Sequence, residues 1–142
     1  MVRKITRFAL CFSAGLLAIT LCVGGLSAED KKDEKIPDVE EIMKKGHAGK
    51  NSLINKIKAA TKAEKWEDSQ KSASEMKAFG EALGKNKVPM GDAASWKTLS
   101  EKYMKITAEV SAGADKKDAK AVDTALGLLG KSCKECHDAH KE

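Results

Sequence analysis

The sequence predicts an all-α protein of one domain, an antiparallel up-down-up-down four-helix bundle, on the basis of three observations. The 142 residues contain only 4% aromatic residues and two prolines, whereas β-sheets favour aromatic and β-branched residues. Four stretches carry apolar residues at spacings of three and four, which is the period of a buried helical stripe. The connections between these stretches are short, and short connections favour antiparallel neighbouring helices.

Residues 1–28 are predicted to be a secretory signal peptide rather than part of the fold. Three basic residues open the chain, the uncharged run 8–26 follows, and cleavage is expected near Ala28. A retained membrane anchor is the alternative, because the uncharged run is long enough to span a bilayer. Cleavage removes the three basic residues and lowers the formal charge from +5 to +2, so no nucleic-acid partner is expected. Residues 29–35 are all charged, and they predict a flexible leader.

The first helix is predicted to begin near Pro37 and to continue to about Ile57. Proline suits the first turn of a helix, and the acidic residues that follow it interact favourably with the helix N-terminus. Gly46, His47 and Gly49 stand where large apolar residues would be expected, and room for a flat, bulky group would account for the glycines. The apolar positions are Ile36, Val39, Ile42, Met43, Leu53, Ile54 and Ile57.

The second and third helices are separated by the main loop of the chain, residues 85–92. The second helix is predicted from about Lys62 to Leu83, with Gly84 as its stop. The third is predicted to start around Asp92 and to end before a turn at residues 111–115. Their inward positions are Trp66, Ala73, Met76, Phe79, Gly80 and Leu83, and Trp96, Leu99, Tyr103, Ile106 and Val110.

The fourth helix is predicted from about Lys117 to Lys141, and its last turns contain a Cys-x-x-Cys-His motif. Cys133 and Cys136 are three residues apart and project from one helix face, so their thiols can form thioethers with the two vinyl groups of one porphyrin. His137 follows directly, and its imidazole can bind the iron as the proximal ligand. The motif therefore predicts one covalently attached haem c.

A redox disulfide and a metal site are the alternatives for this cysteine pair. Cys11 and Cys22 lie in the predicted signal peptide, so the exported chain keeps a single pair. In an oxidising compartment that pair would form a disulfide unless another reaction uses the thiols, and haem attachment is such a reaction.

The connectivity of an up-down-up-down bundle brings the start of the first helix, the end of the fourth helix and the 85–92 loop to one end. The haem is therefore expected there. Met43 and His47 are four residues apart on one face of the first helix, and each is a candidate distal iron ligand. The alternatives are a core role for Met43, a polar role for His47, and an open distal site. Further candidate haem contacts are Trp96, Met90 in the loop, and His140 at the haem edge.

The sequence resembles the cytochrome c′ family of exported, single-haem four-helix bundles, including their six-coordinate relatives. The resemblance covers residues 36–142 and depends on the C-terminal haem motif, the place of Met43 and the number of helices. It implies that Cys133 and Cys136 carry the thioethers, that His137 is proximal, and that Met43 falls near the distal position. Two family positions differ: His140 replaces an aromatic residue, and Val39 replaces a basic one. Many members also form dimers through their first two helices.

These observations predict an exported, periplasmic electron carrier that holds one haem c and has no enzymatic activity. Its expected partners are redox proteins, and no membrane association is expected after signal cleavage. The alternative is a protein that binds nitric oxide or another small gas at an open distal site. A helical bundle with a disulfide and no haem is a third interpretation.

A covalent haem makes a direct chemical prediction for the exported protein. We expect its colour to stay with the polypeptide in acidified organic solvent, because thioether bonds survive a treatment that releases a haem held only by its iron ligands. Absorbance of the precipitated and soluble fractions measures this. Colourless protein, or pigment in the solvent, would contradict the haem interpretation.

Overall fold

The computed structural model describes residues 35–141, and in this range it consists of helices and connecting turns. The fold class predicted from the sequence, an all-α bundle, is confirmed. No helix within 35–141 is long and apolar enough to cross a membrane. The predicted signal peptide, 1–28, and the leader 29–35 apart from its last residue lie outside the described residues. The helices are α1 (Val39–His47), α2 (Leu53–Lys62), α3 (Trp66–Leu83), α4 (Ala93–Asp115) and α5 (Ala119–His140).

Four of these helices form the bundle. Helix α3 packs along α4, α4 packs along α5, α2 packs on α3, and α2 also contacts α5. Helix α1 is shorter and contacts α2 and α3. The chain thus keeps the predicted order of four antiparallel helical segments. Helices α1 and α2 together take the place of the first predicted helix.

The prediction of one continuous first helix is wrong, because residues 48–52 separate α1 from α2. Ala48 is extended, with ψ at 133°, and Gly49 has a φ of +76°, a conformation that costs glycine little and other residues more. No atom outside its neighbours lies within 4 Å of a Cβ built on Gly49, whereas one built on Gly46 would contact Phe79 at 3.5 Å. Gly49 therefore serves a turn and Gly46 lies against α3, and neither glycine lines the main cleft between α1 and α5.

The boundaries of the later helices differ from the predicted ones by a few residues. The second predicted helix was expected from Lys62, but α2 ends there and α3 begins at Trp66. Glu64, with a φ of 56°, makes the intervening turn. Lys117, with a φ of 55°, makes the turn before α5. Both turns use left-handed backbone at polar residues, which a hydrophobic pattern does not reveal.

Aspartate side chains fix the starts of three helices. Asp38, Asp92 and Asp118 accept hydrogen bonds from backbone N–H groups three residues later, at 2.7, 2.7 and 3.0 Å. Such a cap contributes about 1 kcal/mol of stability. The core beneath is aliphatic, and its completely buried large side chains are Ile42, Ile57, Met76, Leu83, Val110, Val122 and Leu129.

Helices α3 and α4 cross closely at Gly80. A Cβ built there would overlap the hydroxyl of Thr107 and lie 3.1 Å from the Cα of Met104. A Cβ on Gly127, in the exposed face of α5, would meet no atom within 4 Å. These two helical glycines are therefore a matched pair with opposite environments.

We expect Gly80→Ala to lower the free energy of unfolding by roughly 1–2 kcal/mol, because overpacking at α4 outweighs alanine's better helix propensity. Gly127→Ala is expected to raise it by about 0.5–1 kcal/mol, since only the propensity changes. Urea denaturation measures both values. Two variants with the same sign would contradict the close crossing.

Candidate haem-binding site

A cleft of about 760 Å³ opens between α1 and the end of α5, at the end of the bundle where the connectivity predicts it. The exposed surface of its walls is mainly apolar. Its volume lies in the range of pockets that enclose organic cofactors, about 300–1,000 Å³. The lining residues are Val39, Glu40, Met43, Lys44, His47, Ala48, Pro89, Trp96, Cys133, Cys136, His137, His140 and Lys141.

The α5 wall carries the complete attachment motif. Cys133 and Cys136 are free and half-buried, and both line the cleft together with the exposed His137. The Cys133 thiol donates a hydrogen bond to the carbonyl of Leu129 at 3.3 Å. Burial, reinforced by Cys133 and Glu135, raises the pKa of Cys136, so this residue stays a neutral thiol near pH 7.

The α1 wall carries both candidate distal ligands, and the ring of His47 is held in place. Its Nε2 lies 2.8 Å from the hydroxyl of Tyr103, and that hydroxyl donates to the sulfur of Met76 at 3.6 Å. Because the hydroxyl has one proton, it accepts from Nε2–H, and Nδ1 carries the lone pair. Nδ1 is buried and has no hydrogen-bond partner among residues 35–141.

The electrostatics of this wall keep both groups neutral. Burial, and to a smaller extent the nearby His137, lowers the pKa of His47 below 6.5. Burial, and to a smaller extent Cys133, raises the pKa of Tyr103 far above 10.0. The tyrosine therefore remains a hydrogen-bond donor at neutral pH. Sequence reasoning assigned Tyr103 only to the core, because nothing in the sequence links two residues 56 positions apart.

The remaining candidates lie where α4 begins. Trp96 is buried and lines the cleft, and its ring meets that of His140 edge-on, with centroids 5.3 Å apart. His140 is buried and also lines the cleft, in agreement with its predicted place at the haem edge. The Met90 side chain is 41% exposed and does not line the cleft, whereas its neighbour Pro89 does. The structure thus brings together every candidate except Met90.

The donor set and the shape of the cleft fit a haem. Two free thiols and an exposed histidine share one wall of a mainly apolar cleft, and charged side chains such as Glu40, Lys44 and Lys141 complete its lining. Cys133 and Cys136 would hold the porphyrin through thioethers, and His137 would ligate its iron.

The lowered pKa of His47 predicts a pH dependence of stability. The unfolded chain binds a proton at His47 below about pH 6.5, while the folded chain resists protonation there. Stability is thus complete above 6.5 and falls as the pH drops through the folded-state pKa. We expect the free energy of unfolding to fall more between about pH 7.5 and 5 in the wild type than in His47→Gln, which keeps a donor for Tyr103. Equal slopes in urea titrations would contradict this assignment.

Comparison with known proteins agrees with this site. The family model described as Cytochrome C′ matches residues 87–141, which span part of the loop after α3 and all of α4 and α5. The match includes Cys133, Cys136 and His137. No curated protein and no solved structure matches the chain. Together with the motif and the helical fold, the match to the Cytochrome C′ model over residues 87–141 supports a c-type cytochrome haem protein, and this family implies covalently bound haem c.

Proposed function

We propose that the protein is an exported electron carrier with one haem c, whose iron keeps a ligand on both faces. The observation that carries this proposal is that Met43 and His47 on α1 line the same cleft as His137 on α5. Bound haem supplies an iron that alternates between the ferric and ferrous states. A bundle that fixes ligands from two walls supports electron transfer, because little rearrangement accompanies the change of charge.

Met43 is the better distal ligand of the two. Nδ1 of His47 has a free lone pair, but this atom is buried, so the fold would have to open before Nδ1 could reach an iron. To ligate through Nε2 instead, His47 would have to give up its 2.8 Å hydrogen bond to Tyr103. The Tyr103 hydroxyl would then lose a partner inside the protein, which costs about 1–3 kcal/mol. Met43 is half-buried against the core, and its unbranched thioether can turn without breaking such a bond.

In this proposal His47 supports the α1 wall. Its link through Tyr103 joins α1 to α4, and the hydrogen bond to Met76 extends the link to α3. Ile42, the residue before Met43, is completely buried and anchors the same helix in the core. Met43 therefore lies on a helix that contacts with α3 and α4 hold in place.

Binding of nitric oxide or another small gas is the alternative function. The observation that favours it is a small cavity of about 30 Å³ that adjoins the cleft and shares Met43, His47 and Cys133 with it. A cavity of this size holds about one small molecule. If α1 provides no iron ligand, a diatomic gas could occupy the distal side.

The cellular location and the partners of the protein follow from the same proposal. We infer export to the periplasm and exchange of electrons with redox proteins that approach the exposed His137 and the lysines Lys44 and Lys141. We expect no enzymatic activity, because the three histidines are all accounted for at the haem site. Nucleic acid and membranes are not expected partners, and a homodimer remains a prediction from the family resemblance.

The ligand assignment predicts different spectra for two α1 variants. Met43→Leu keeps the side-chain volume but removes the sulfur, so we expect the ferric protein to lose its methionine-to-iron charge-transfer band and to become high-spin. His47→Gln, which preserves a donor to Tyr103, should keep the low-spin spectrum. Absorption spectra of the purified ferric proteins measure both.

Three outcomes would change the assignment. A high-spin His47→Gln beside an unaltered Met43→Leu would make His47 the ligand. Unaltered spectra in both variants would mean that neither residue ligates the iron. A high-spin wild type whose ferrous form binds nitric oxide readily would replace electron transfer with gas binding.

A further inference from the structure

We propose that His140 is a positioning residue that fixes the last turn of α5, and with it His137, against the loop after α3 and the first turn of α4. This proposal rests on the proposed function of the cleft as a haem site. The residues involved, His140, Met90, Gly91, Ser95 and Trp96, are called the His140 cluster below.

Both ring nitrogens of His140 form hydrogen bonds to other parts of the fold. Nδ1 lies 2.7 Å from the carbonyl oxygen of Met90, and Nε2 lies 3.2 Å from the hydroxyl of Ser95. A carbonyl oxygen can only accept, so Nδ1 carries the proton. In the neutral ring, Nε2 then accepts from the Ser95 hydroxyl. One side chain on α5 therefore bonds both the loop and the start of α4.

These bonds also exclude a different role for the residue. An iron ligand needs a ring nitrogen with a free lone pair, and in His140 one nitrogen is a donor and the other is engaged. The residue is also only 4% exposed. His140 thus acts on the site through the backbone and side chains that it holds.

The backbone of the loop is shaped for this contact. Gly91 has a φ of +79°, and a Cβ built on it would lie 2.5 Å from the carbonyl oxygen of Ala139 and 3.2 Å from Nδ1 of His140. The close approach leaves no room for a side chain at Gly91, and the positive φ also favours glycine there. The loop therefore lies directly against the final turn of α5.

The cluster also holds one side of the haem cleft. Trp96 packs edge-on against His140, with ring planes at 82°, and Trp96 and the nearby Pro89 line the cleft. Ser95 is fixed in turn, because its backbone N–H donates to the cap residue Asp92 at 2.7 Å. The end of α5 and this side of the cleft are consequently parts of one hydrogen-bonded unit.

Such a contact matters because His137 lies near a helix end. The last carbonyls of a helix have no partners further along the helix, and terminal turns open easily. His137 is exposed, and its carbonyl accepts the last helical bond, from Lys141 at 3.1 Å. Its own side chain is thus not held by burial, whereas His140 is buried one turn later.

The test compares His140→Phe with Val110→Ala in the haem-loaded protein. Phenylalanine keeps a ring against Trp96 but makes neither hydrogen bond. Val110 is completely buried near the far end of α4, so its truncation destabilises the bundle away from the site. Three quantities are measured: hydrogen exchange of residues 85–96, the ferric spectrum, and the midpoint potential of the haem.

We expect His140→Phe to accelerate exchange in residues 85–96 by about tenfold, since two hydrogen bonds are lost, and to shift the midpoint potential with a new high-spin fraction. Val110→Ala should lower the melting temperature but leave the potential and spectrum unchanged. Ser95→Ala, which removes only the Nε2 bond, should shift the potential in the same direction by less. It also provides the test if His140→Phe does not fold.

An unchanged potential and spectrum in the His140 and Ser95 variants, with haem bound, would overturn the positioning role while leaving the proposed function intact. Equal shifts in Val110→Ala would also overturn it, because general destabilisation would then be the cause. A wild type without haem would instead overturn the proposed function, and the proposal with it.

Discussion

The central constraint in this molecule is that two thiols and a histidine must face one cleft from the last turns of a helix. Helix ends are weakly held, since their final carbonyls lack helical partners. Yet Cys133, Cys136 and His137 must keep a geometry that matches a rigid porphyrin. The fold meets this constraint by packing α5 along α4 and against α2, and by burying His140 after the motif. A short sequence motif thus depends on contacts with distant parts of the chain.

The opposite wall is built by a different means. Residues 48–52 end α1 after nine residues, so the segment that carries Met43 and His47 is separate from the bundle helix α2. Burial of Ile42 and the hydrogen bond between His47 and Tyr103 hold this short helix. A helix of this length would be marginal alone in water. Its stability, and therefore the distal side of the cleft, comes from tertiary contacts with α3 and α4.

Local sequence determined much of this protein. The three–four spacing of apolar residues is a direct consequence of helix geometry, so it predicted the fold class and the approximate helix limits. The attachment motif lies within five consecutive residues, so Cys133, Cys136 and His137 needed no tertiary information. The connectivity of short loops was enough to predict which end of the bundle holds the cleft, and that Met43 and His47 face it.

Only the tertiary structure determined which contacts hold the walls of the cleft in place. The partners of His47 and His140 are 56 and 45–50 residues away along the chain, and no periodicity links them. The break at Gly49 depends on one backbone dihedral angle, which a hydrophobic pattern does not encode. His140 is a polar residue near the end of the sequence, and only the folded structure shows that it is buried in a packed cluster. Side-chain hydrogen bonds between helices depend on which surfaces meet, and the folded chain alone determines that.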